Sequence, residues 1–342
     1  MNKDLPKILV TGGCGYIGSH TIVSLLERGY QVVSVDDHSR SRPEVLQGIR
    51  EITGAQVPNY RVDLKDREAT LRVFQENPGL AAVVHFAAYK SVAESVARPL
   101  LYFDNNNGAL SSVLAAMEQF KVRSLVFSSS CTVYGRAEKL PVTEDTPLAP
   151  PECPYARTKL MGEQMISDFA ASYPGRFVSL RYFNPAGAHE SARIGENPVG
   201  KPDNLVPNIT MFAAGRLPEL VVHGADYETR DGSCIRDYVH VMDIARAHVD
   251  ALGYLERAGA DGGHQFFNLG SGKGTTVLEL LKAFERANDI KLDYQIGPRR
   301  PGDLPAMYAD RRRATQELGW EPQYGLEEMM RSAWAWEQRR SG

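Results

Sequence analysis

Tyr155 and Lys159 are the two side chains whose types and spacing most directly suggest chemistry. They lie four residues apart in the segment YARTK, so on a helix they share one face. A phenol with a pKa near ~10 is a poor base at neutral pH, but a neighbouring cation favours the phenolate and lowers that pKa. The pair therefore predicts a tyrosine that transfers protons. Taken alone, the same spacing is also common on surface helices.

Hydroxyl side chains precede this pair in the segment SSSCTVYG, residues 128–135. The apolar residues 125–127 predict a buried strand that ends at these serines. Ser130 and Thr132 would then lie at the edge of a sheet, where a hydroxyl can bond to a substrate oxygen and relay a proton to Tyr155. A turn in which the hydroxyls bond to the backbone is the structural alternative, and the segment by itself does not decide between them.

The elements that would position these groups begin in the segment KILVTGGCGYIGSH, residues 7–20. Residues 8–11 predict a buried strand, and apolar residues at helical spacing follow the last glycine. Between them lie Gly12, Gly15 and Gly18, in a G-x-x-G-x-x-G arrangement. Glycine permits a sharp turn and a close approach to a ligand, and the amino terminus of a helix suits a pyrophosphate.

Asp36 completes the pattern of a dinucleotide site. It follows a second predicted strand, residues 31–35, and lies 18 residues beyond Gly18, where a carboxylate that binds ribose hydroxyls is expected. Such a carboxylate repels a 2′-phosphate, so NAD is favoured over NADP, although Arg40 and Arg42 follow closely and weaken that argument. An ordinary βαβ turn with an acidic residue at the strand end is the alternative.

Composition and charge restrict the class of protein. The chain has 342 residues, of which 43% are hydrophobic and 24% charged, with a formal net charge of −3. This length suits one large domain or two unequal ones. Without a basic tract or a long apolar run, we expect no nucleic-acid partner, no membrane association and a cytoplasmic location. The four cysteines have neither metal-type nor disulfide-framework spacing, so no metal is expected.

Strand and helix patterns alternate along the first half of the chain, which predicts an α/β fold, a Rossmann-type doubly wound parallel sheet. Helices are expected over 41–53, 67–76, 100–120 and 155–173, and strands over 57–62, 80–87 and 177–183. A nucleotide-binding domain would span 1–184, and a smaller mixed α/β substrate-binding domain would span 185–342. Segments near 238–272, helical over 238–255 and extended over 265–269, would return to the first domain. Trp334 and Trp336 are interpreted as packing residues.

The glycine loop, the Tyr155–Lys159 pair and Ser130 resemble the extended short-chain dehydrogenase/reductase superfamily. Longer strings narrow the resemblance to the UDP-glucose (UDP-galactose) 4-epimerase family, and they cover essentially the whole chain. They are HFAAYKSVAESVARP (85–99), SSSCTVYG (128–135), YARTKLMGE (155–163), RYFNPAGAH (181–189), DGSCIRDYVHVMD (231–243) and RRPGDLPAMYAD (299–310).

The resemblance implies a site that holds NAD tightly and a neighbouring site for UDP-galactose and UDP-glucose. The catalytic set would be Ser130, Tyr155 and Lys159, which also contact the cofactor. The other implied cofactor contacts are Gly12, Gly15, Tyr16, Ile17, Gly18, Asp36, Asp63, Leu64, Phe86, Lys90, Asn105 and Tyr182. With Ser130 and Tyr155, the implied substrate contacts are Asn184, Asn204, Leu205, Val221, His223, Arg236, Arg300, Asp303 and Met307.

The implied reaction is reversible C4 epimerisation through a 4-keto sugar. Three departures from the family pattern bear on it: the chain is one residue shorter beside Asn105, an imidazole at position 223 stands where aromatic residues are usual, and Met307 replaces the tyrosine of glucose-restricted members. Members that accept N-acetylated sugars have a small residue at that position. Action also or mainly on UDP-N-acetylhexosamines is therefore an alternative.

Other functions fit the residues less well. A sugar-nucleotide 4,6-dehydratase would need an Asp-Glu pair after Thr132, where this chain has Val133 and Tyr134. A net dehydrogenase would consume free cofactor, and a non-catalytic NAD sensor would not need both Tyr155 and Lys159. By analogy with the family, helices over 100–120 and 155–173 would pair across a two-fold axis in a homodimer.

Overall fold

The computed structural model describes residues 5–200, 202–257, 263–300 and 302–341. In its first half, strands and helices alternate. The elements are β1 Lys7–Thr11, α1 Tyr16–Glu27, β2 Gln31–Val35, α2 Val45–Thr53, β3 Asn59–Tyr60, α3 Arg67–Glu76, β4 Leu80–His85, α4 Val92–Ala97, α5 Pro99–Tyr102, α6 Gly108–Phe120, β5 Ser124–Ser130, α7 Pro154–Ser172 and β6 Arg176–Tyr182.

The second half contains shorter strands between longer helices. The elements are β7 Asn184–Ala186, α8 Leu205–Ala213, β8 Val221–His223, β9 Ile235–Arg236, β10 Tyr238–His240, α9 Val241–Arg257, β11 Gly263–Leu269, β12 Thr275–Thr276, α10 Val277–Asn288, β13 Gln295–Gly297, β14 Ala306–Met307 and α11 Leu326–Ser341. Of these, β11 lies beside β6 in the main sheet.

A seven-stranded parallel sheet in the order β11-β6-β5-β4-β1-β2-β3 forms the centre of the molecule. One apolar layer joins α1 and α9 to one face of this sheet, and another joins α3, α6 and α7 to the opposite face. The predicted doubly wound α/β fold is therefore confirmed. Because all seven strands are parallel, their carboxyl ends meet at one edge, where ligands bind in such folds. The division into domains at 184/185 stays a prediction.

Several predicted boundaries are wrong for local reasons. The helix predicted over 41–53 begins at Val45, since the residue before Pro43 is disfavoured in helical conformation. The strand predicted over 57–62 is only Asn59–Tyr60, at the sheet edge beside Pro58, which lacks an N–H donor. The segment predicted as a helix over 238–255 begins with the strand Tyr238–His240, which pairs with β7.

The helix predicted over 100–120 is interrupted by a π-type turn at Phe103–Asn107. Within it, the Asn106 amide accepts from the Tyr89 N–H at 2.8 Å and donates to the Thr158 hydroxyl at 2.9 Å. These bonds attach the turn to the loop after β4 and to α7. The helix predicted over 67–76 has the predicted bounds, and Asp66 caps it by accepting from the Ala69 N–H at 2.9 Å.

Both carboxy-terminal tryptophans are packing residues, as predicted. The Trp334 ring meets the Phe284 ring edge-on at 5.9 Å, and the Trp336 indole N–H donates to the Glu196 carbonyl at 2.9 Å. No helix within the described residues is long and apolar enough to cross a membrane.

Four buried histidines make the stability of the fold depend on pH. Burial lowers the pKa of His20, His85 and His240 to about 3 and that of His248 to about 4. In the unfolded chain the same side chains have a pKa near ~6.5. As the pH falls below that value, the unfolded chain binds protons that the folded chain excludes, so the free energy of unfolding decreases.

Urea unfolding at about pH 7 and about pH 5.5 is expected to show a loss of about 1 kcal/mol for each of these histidines. His248 lies in apolar surroundings beside Phe86. Replacing it by Leu should therefore reduce the difference in unfolding free energy between the two pH values by the contribution of one histidine. If H248L retains the full native difference between the two pH values, the buried-histidine explanation is wrong.

Candidate active site

The three glycines of the first loop have different structural tasks. Gly12 has φ +68°, and a Cβ there would lie 2.8 Å from the backbone nitrogen of Ala87. At Gly18 a Cβ would lie 2.3 Å from the Gly12 carbonyl oxygen, so glycine lets α1 begin directly on the turn. Gly15 is the N-cap of α1, ahead of Tyr16, Ile17 and Gly18. The first turn of a helix has N–H groups without intrahelical acceptors, which suit an anion.

Asp36 lies beside this loop at the end of β2, as predicted. Its carboxylate accepts from the Cys14 N–H at 3.0 Å, the His38 N–H at 2.9 Å and the Ser41 hydroxyl at 2.6 Å. Arg40 is bound elsewhere, because its guanidinium pairs with Glu94 at 2.6 Å. One of the two candidate cations for a 2′-phosphate is thus already engaged, which favours NAD over NADP.

Other residues predicted to contact the cofactor lie at the same edge of the sheet. Leu64 is buried, and the Asp63 carboxylate accepts from the Lys65 N–H at 3.0 Å. Phe86 directly follows β4, where its N–H donates to the Thr11 carbonyl at 3.0 Å. Asn105 lies in the π-type turn and donates to the Asn106 side chain at 3.0 Å.

Ser130 is the last residue of β5 and the N-cap of a 3₁₀ turn at Cys131–Tyr134. Its hydroxyl oxygen accepts from the Thr132 N–H at 3.2 Å and from the Thr132 hydroxyl at 3.0 Å. The turn that the sequence left as a structural alternative therefore exists. It is compatible with chemistry, because the Ser130 side chain also interacts with the Tyr155 phenol.

Tyr155 and Lys159 share the face of α7 that meets β5. The Lys159 ammonium is buried, donates to the Ser128 carbonyl at 2.6 Å and lies 5.0 Å from the centre of the Phe127 ring. Burial lowers the pKa of Lys159 to about 8, while the negative charge of Glu163 acts in the opposite direction. Lys159 is thus held against the carboxyl end of β5.

Lys159 alone does not depress the pKa of Tyr155, and the depression expected from Lys159 together with a nicotinamide cation stays a prediction. Burial raises the pKa of Tyr155 above its usual value, and the contact with Ser130 opposes that rise without cancelling it. The physical reason is that the phenolate is desolvated, while the Lys159 ammonium is directed to the Ser128 carbonyl. Tyr182, at the end of β6, lies close by and hydrogen-bonds to the Ser128 hydroxyl.

The structure brings together Arg236, Arg300 and Asp303, which were predicted for the substrate site. The Asp303 carboxylate lies 3.4 Å from the Arg236 guanidinium and 3.0 Å from that of Arg300. Arg236 also donates to the Leu304 carbonyl at 2.7 Å, which fixes it to the loop before β14. Paired guanidinium groups of this kind suit a diphosphate.

Met307 pairs with Arg236 across β14 and β9 and is 7% exposed. It packs in an apolar cluster with Val133, Tyr134 and Phe183. Val221 and His223 project from the same face of β8, and the His223 ring lies 3.3 Å from the Pro298 carbonyl. Asn184 begins β7, with its N–H donating to the Asp237 carbonyl at 2.9 Å.

Glu196 belongs to the site although no sequence motif identified it. Its carboxylate oxygen Oε1 accepts from Lys90 Nζ at 2.8 Å and from Asn204 Nδ2 at 2.7 Å. It therefore joins a residue predicted for the cofactor to one predicted for the substrate, which precedes Leu205 at the start of α8. The only sequence signal was an acidic residue in a glycine- and proline-rich stretch.

Comparison with known proteins extends this picture over the whole chain. The family model described as GDP-mannose 4,6 dehydratase matches residues 9–333. The UDP-glucose 4-epimerase of Bacillus subtilis is 49% identical over 332 residues, covering 96% of each chain.

Two solved structures are similar throughout. The UDP-glucose 4-epimerase of Stenotrophomonas maltophila, with bound NAD and formylated UDP-arabinopyranose, has a TM-score of 0.94 and 45% identity, over 98% of this chain and 99% of that one. That of Bifidobacterium longum, in complex with NAD+ and UDP, has a TM-score of 0.94 and 43% identity over the same shares. The chain therefore belongs to the UDP-glucose 4-epimerases, within the wider family described as GDP-mannose 4,6 dehydratase.

Proposed function

We propose that this protein is an NAD-dependent isomerase that interconverts UDP-galactose and UDP-glucose by reversible epimerisation at C4, through a 4-keto intermediate. One observation carries the proposal. Ser130, Tyr155 and Lys159 meet at the carboxyl end of β5. Directly after Ser130, Val133 and Tyr134 pack against Met307, whose strand pairs with the strand of Arg236, the partner of Asp303. A proton-transfer group and a diphosphate-binding group are thus joined by one apolar cluster.

The residues present fit a dinucleotide. A Cβ would fill the space at Gly12 and Gly18, and the open amino terminus of α1 lies beside Asp36, which suits a pyrophosphate next to a ribose. Bound there, NAD would supply a positively charged acceptor for the hydride of C4 and, once reduced, the donor that restores it.

The polypeptide provides the proton chemistry. Tyr155, as phenolate, removes the proton from the 4-hydroxyl, Ser130 relays it, and Lys159 supports the phenolate and binds the nicotinamide ribose. Because burial raises the pKa of Tyr155, the positive charge of the cofactor is what allows the phenolate to form.

The substrate is held mainly by its nucleotide. Arg236 and Arg300 bind the diphosphate, while His223 and Val221 lie near the uracil, and Asn184, Asn204 and Leu205 complete the contacts. The sugar itself is held loosely, since the 4-keto intermediate must turn over within the pocket before hydride returns. Binding energy from the remote, non-reacting part of a substrate is suited to that task.

Competing functions receive less support. A 4,6-dehydratase would need carboxylates after Thr132, but Val133 and Tyr134 are fully buried there. Preference for UDP-N-acetylhexosamines is not favoured, because relatives at 45–49% identity are named UDP-glucose 4-epimerases. A non-catalytic NAD sensor would have no use for the convergence of Ser130, Tyr155 and Lys159.

Proton NMR of UDP-galactose, incubated with purified protein and no added NAD, is expected to show UDP-glucose signals growing toward a stable mixture. Retained cofactor explains why none need be added. If neither this incubation nor one with added NAD changes the spectrum, the proposed reaction is wrong. A parallel incubation with UDP-N-acetylgalactosamine would measure how far Met307 extends the sugar range.

Replacing Tyr155 by Phe removes the proton-transfer group while preserving the ring. Turnover in the NMR assay should fall by about 10²–10⁴-fold, the usual contribution of general acid–base catalysis, with UDP affinity unchanged by calorimetry. Tyr173→Phe is the matched control, because the Tyr173 hydroxyl, at the end of α7, donates to the backbone carbonyls of Met117 at 3.1 Å and Val122 at 3.3 Å. Near-native turnover in Y155F would exclude Tyr155 as the catalytic acid–base.

We further propose that the protein is a homodimer. Apolar side chains are exposed on α4, α5 and α7, with exposed fractions of 50% at Val92, 62% at Val96, 80% at Leu100 and 37% at Met161. The three helices that carry them pack against one another. A face of this kind is typical of a subunit contact.

Sedimentation velocity should show a dimer for the native protein and a monomer for Leu100→Glu, because the charge would have to be desolvated in the contact. Ile296→Glu is the control, since Ile296 is 53% exposed on the separate strand β13. A native monomer, or equal effects of both substitutions, would contradict this interface.

A further inference from the structure

A buried ion pair lies directly behind the proposed catalytic residues. Glu163 on α7 and Arg181 on β6 have side chains that are only 3% and 4% exposed. Arg181 donates to Glu163 twice, from Nε to Oε1 at 2.9 Å and from an outer nitrogen to Oε2 at 2.8 Å. This two-point geometry fixes the relative orientation of the helix and the strand.

The carboxylate of the pair also holds the end of β5. The Ser129 hydroxyl donates to Glu163 Oε1 at 2.5 Å. Ser129 stands between Ser128, whose carbonyl accepts from Lys159, and Ser130. Ser129 thus links the end of β5 to α7, one residue before Ser130.

The guanidinium of the pair holds the segment that follows Ser130. Arg181 donates to the Tyr134 hydroxyl at 3.0 Å, and that hydroxyl donates to Asn268 Oδ1 at 2.6 Å. Tyr134 ends the 3₁₀ turn that begins directly after Ser130. The segment 130–133 is thus held by one member of the pair at each end, and Glu163 lies one helical turn beyond Lys159.

We propose that Glu163 and Arg181 are positioning residues for epimerisation, which set the spacing between Ser130 on the strand and Tyr155 and Lys159 on the helix. The inference rests on the proposed function. It assigns a task to a pair whose desolvation makes it a weak source of stability, since such pairs can often be replaced by apolar residues without loss.

The pair also has an electrostatic consequence for Lys159. The groups that interact with this ammonium are Glu163 on its own helix, neutral His85 from β4, and the Ser128 carbonyl and Phe127 ring from β5. Among the charged neighbours, Glu163 is the one that opposes the lowering of the Lys159 pKa by burial. Loss of its charge should therefore lower that pKa further.

The test compares the native enzyme with E163M/R181M, which removes both charges and leaves neither unpaired, and with D243N/R246M as the matched control. Asp243 and Arg246 form another ion pair with a buried carboxylate, at the start of α9, where Asp243 accepts from the Gln323 N–H at 3.0 Å. We expect kcat of E163M/R181M to fall about tenfold or more, with KM for UDP-galactose and NAD content nearly unchanged. The control should retain native kcat.

Two readouts separate positioning from general destabilisation. Amide hydrogen exchange should become faster in segments 128–134 and 155–163 of E163M/R181M and stay native there in D243N/R246M. In E163Q, the alkaline limb of kcat should move to lower pH, because the ammonium form of Lys159 would be lost sooner as pH rises.

Native kcat and native exchange in folded E163M/R181M would overturn the inference while leaving the proposed reaction intact. An inactive native enzyme would overturn the proposed reaction, and the exchange measurement would still decide whether the pair fixes these two segments. Equal loss of kcat in the control would assign the effect to stability and also overturn the inference.

Discussion

Desolvation of ionisable groups at the carboxyl edge of the sheet is the constraint on which the rest of this structure depends. The same burial raises the pKa of Tyr155, lowers that of Lys159 to about 8 and keeps His85 neutral, with a pKa lowered to about 3. Each shift has the same origin, since an apolar surrounding penalises the charged form of any group. Burial therefore disfavours the charged form of each of these three side chains.

This constraint explains why catalytic competence depends on what binds. A buried phenol with a raised pKa is a poor base, so the free polypeptide does not hold Tyr155 ready for reaction. A nicotinamide cation bound next to it would favour the phenolate, because an opposite charge at short distance stabilises the charged form. Under the proposed function, binding of NAD would therefore also activate the base.

The sequence predicted the parts of the site that are local in the chain. The glycine turn, Asp36, Ser130 and the Tyr155–Lys159 pair each follow from a short motif or a fixed spacing, and parallel strands necessarily bring them to one edge. The α/β fold followed from alternating strand and helix patterns for the same reason. The predicted bounds of strands and helices were wrong where a single residue interrupted the hydrophobic pattern. Pro58 did so at β3, and Asn106 did so in the π-type turn.

The parts that sequence did not predict are tertiary. The contacts of Glu196 form only in the folded chain, where the loop after β4 brings Lys90 to it and the start of α8 brings Asn204. Glu163 and Arg181 belong to quoted motifs, yet nothing in either string indicates that they pair. Helical spacing placed Lys159 on the correct face, but it did not reveal that burial raises the pKa of Tyr155 or that the Lys159 ammonium binds the Ser128 carbonyl.

Two arginine–carboxylate clusters, one at the proposed catalytic site and one at the proposed substrate site, differ in burial and in the hydrogen-bond donors that they leave available. On the catalytic side, the Glu163–Arg181 pair is buried and two-pronged, which gives rigid geometry. On the substrate side, Arg300 is 53% exposed and shares the Asp303 carboxylate with Arg236, so both guanidinium groups retain donors for a diphosphate. In the proposed reaction, hydride returns to the other face of the sugar. The proposed roles divide accordingly: the reacting groups would stay fixed, the nucleotide would be bound at a distance, and only the sugar between them would turn.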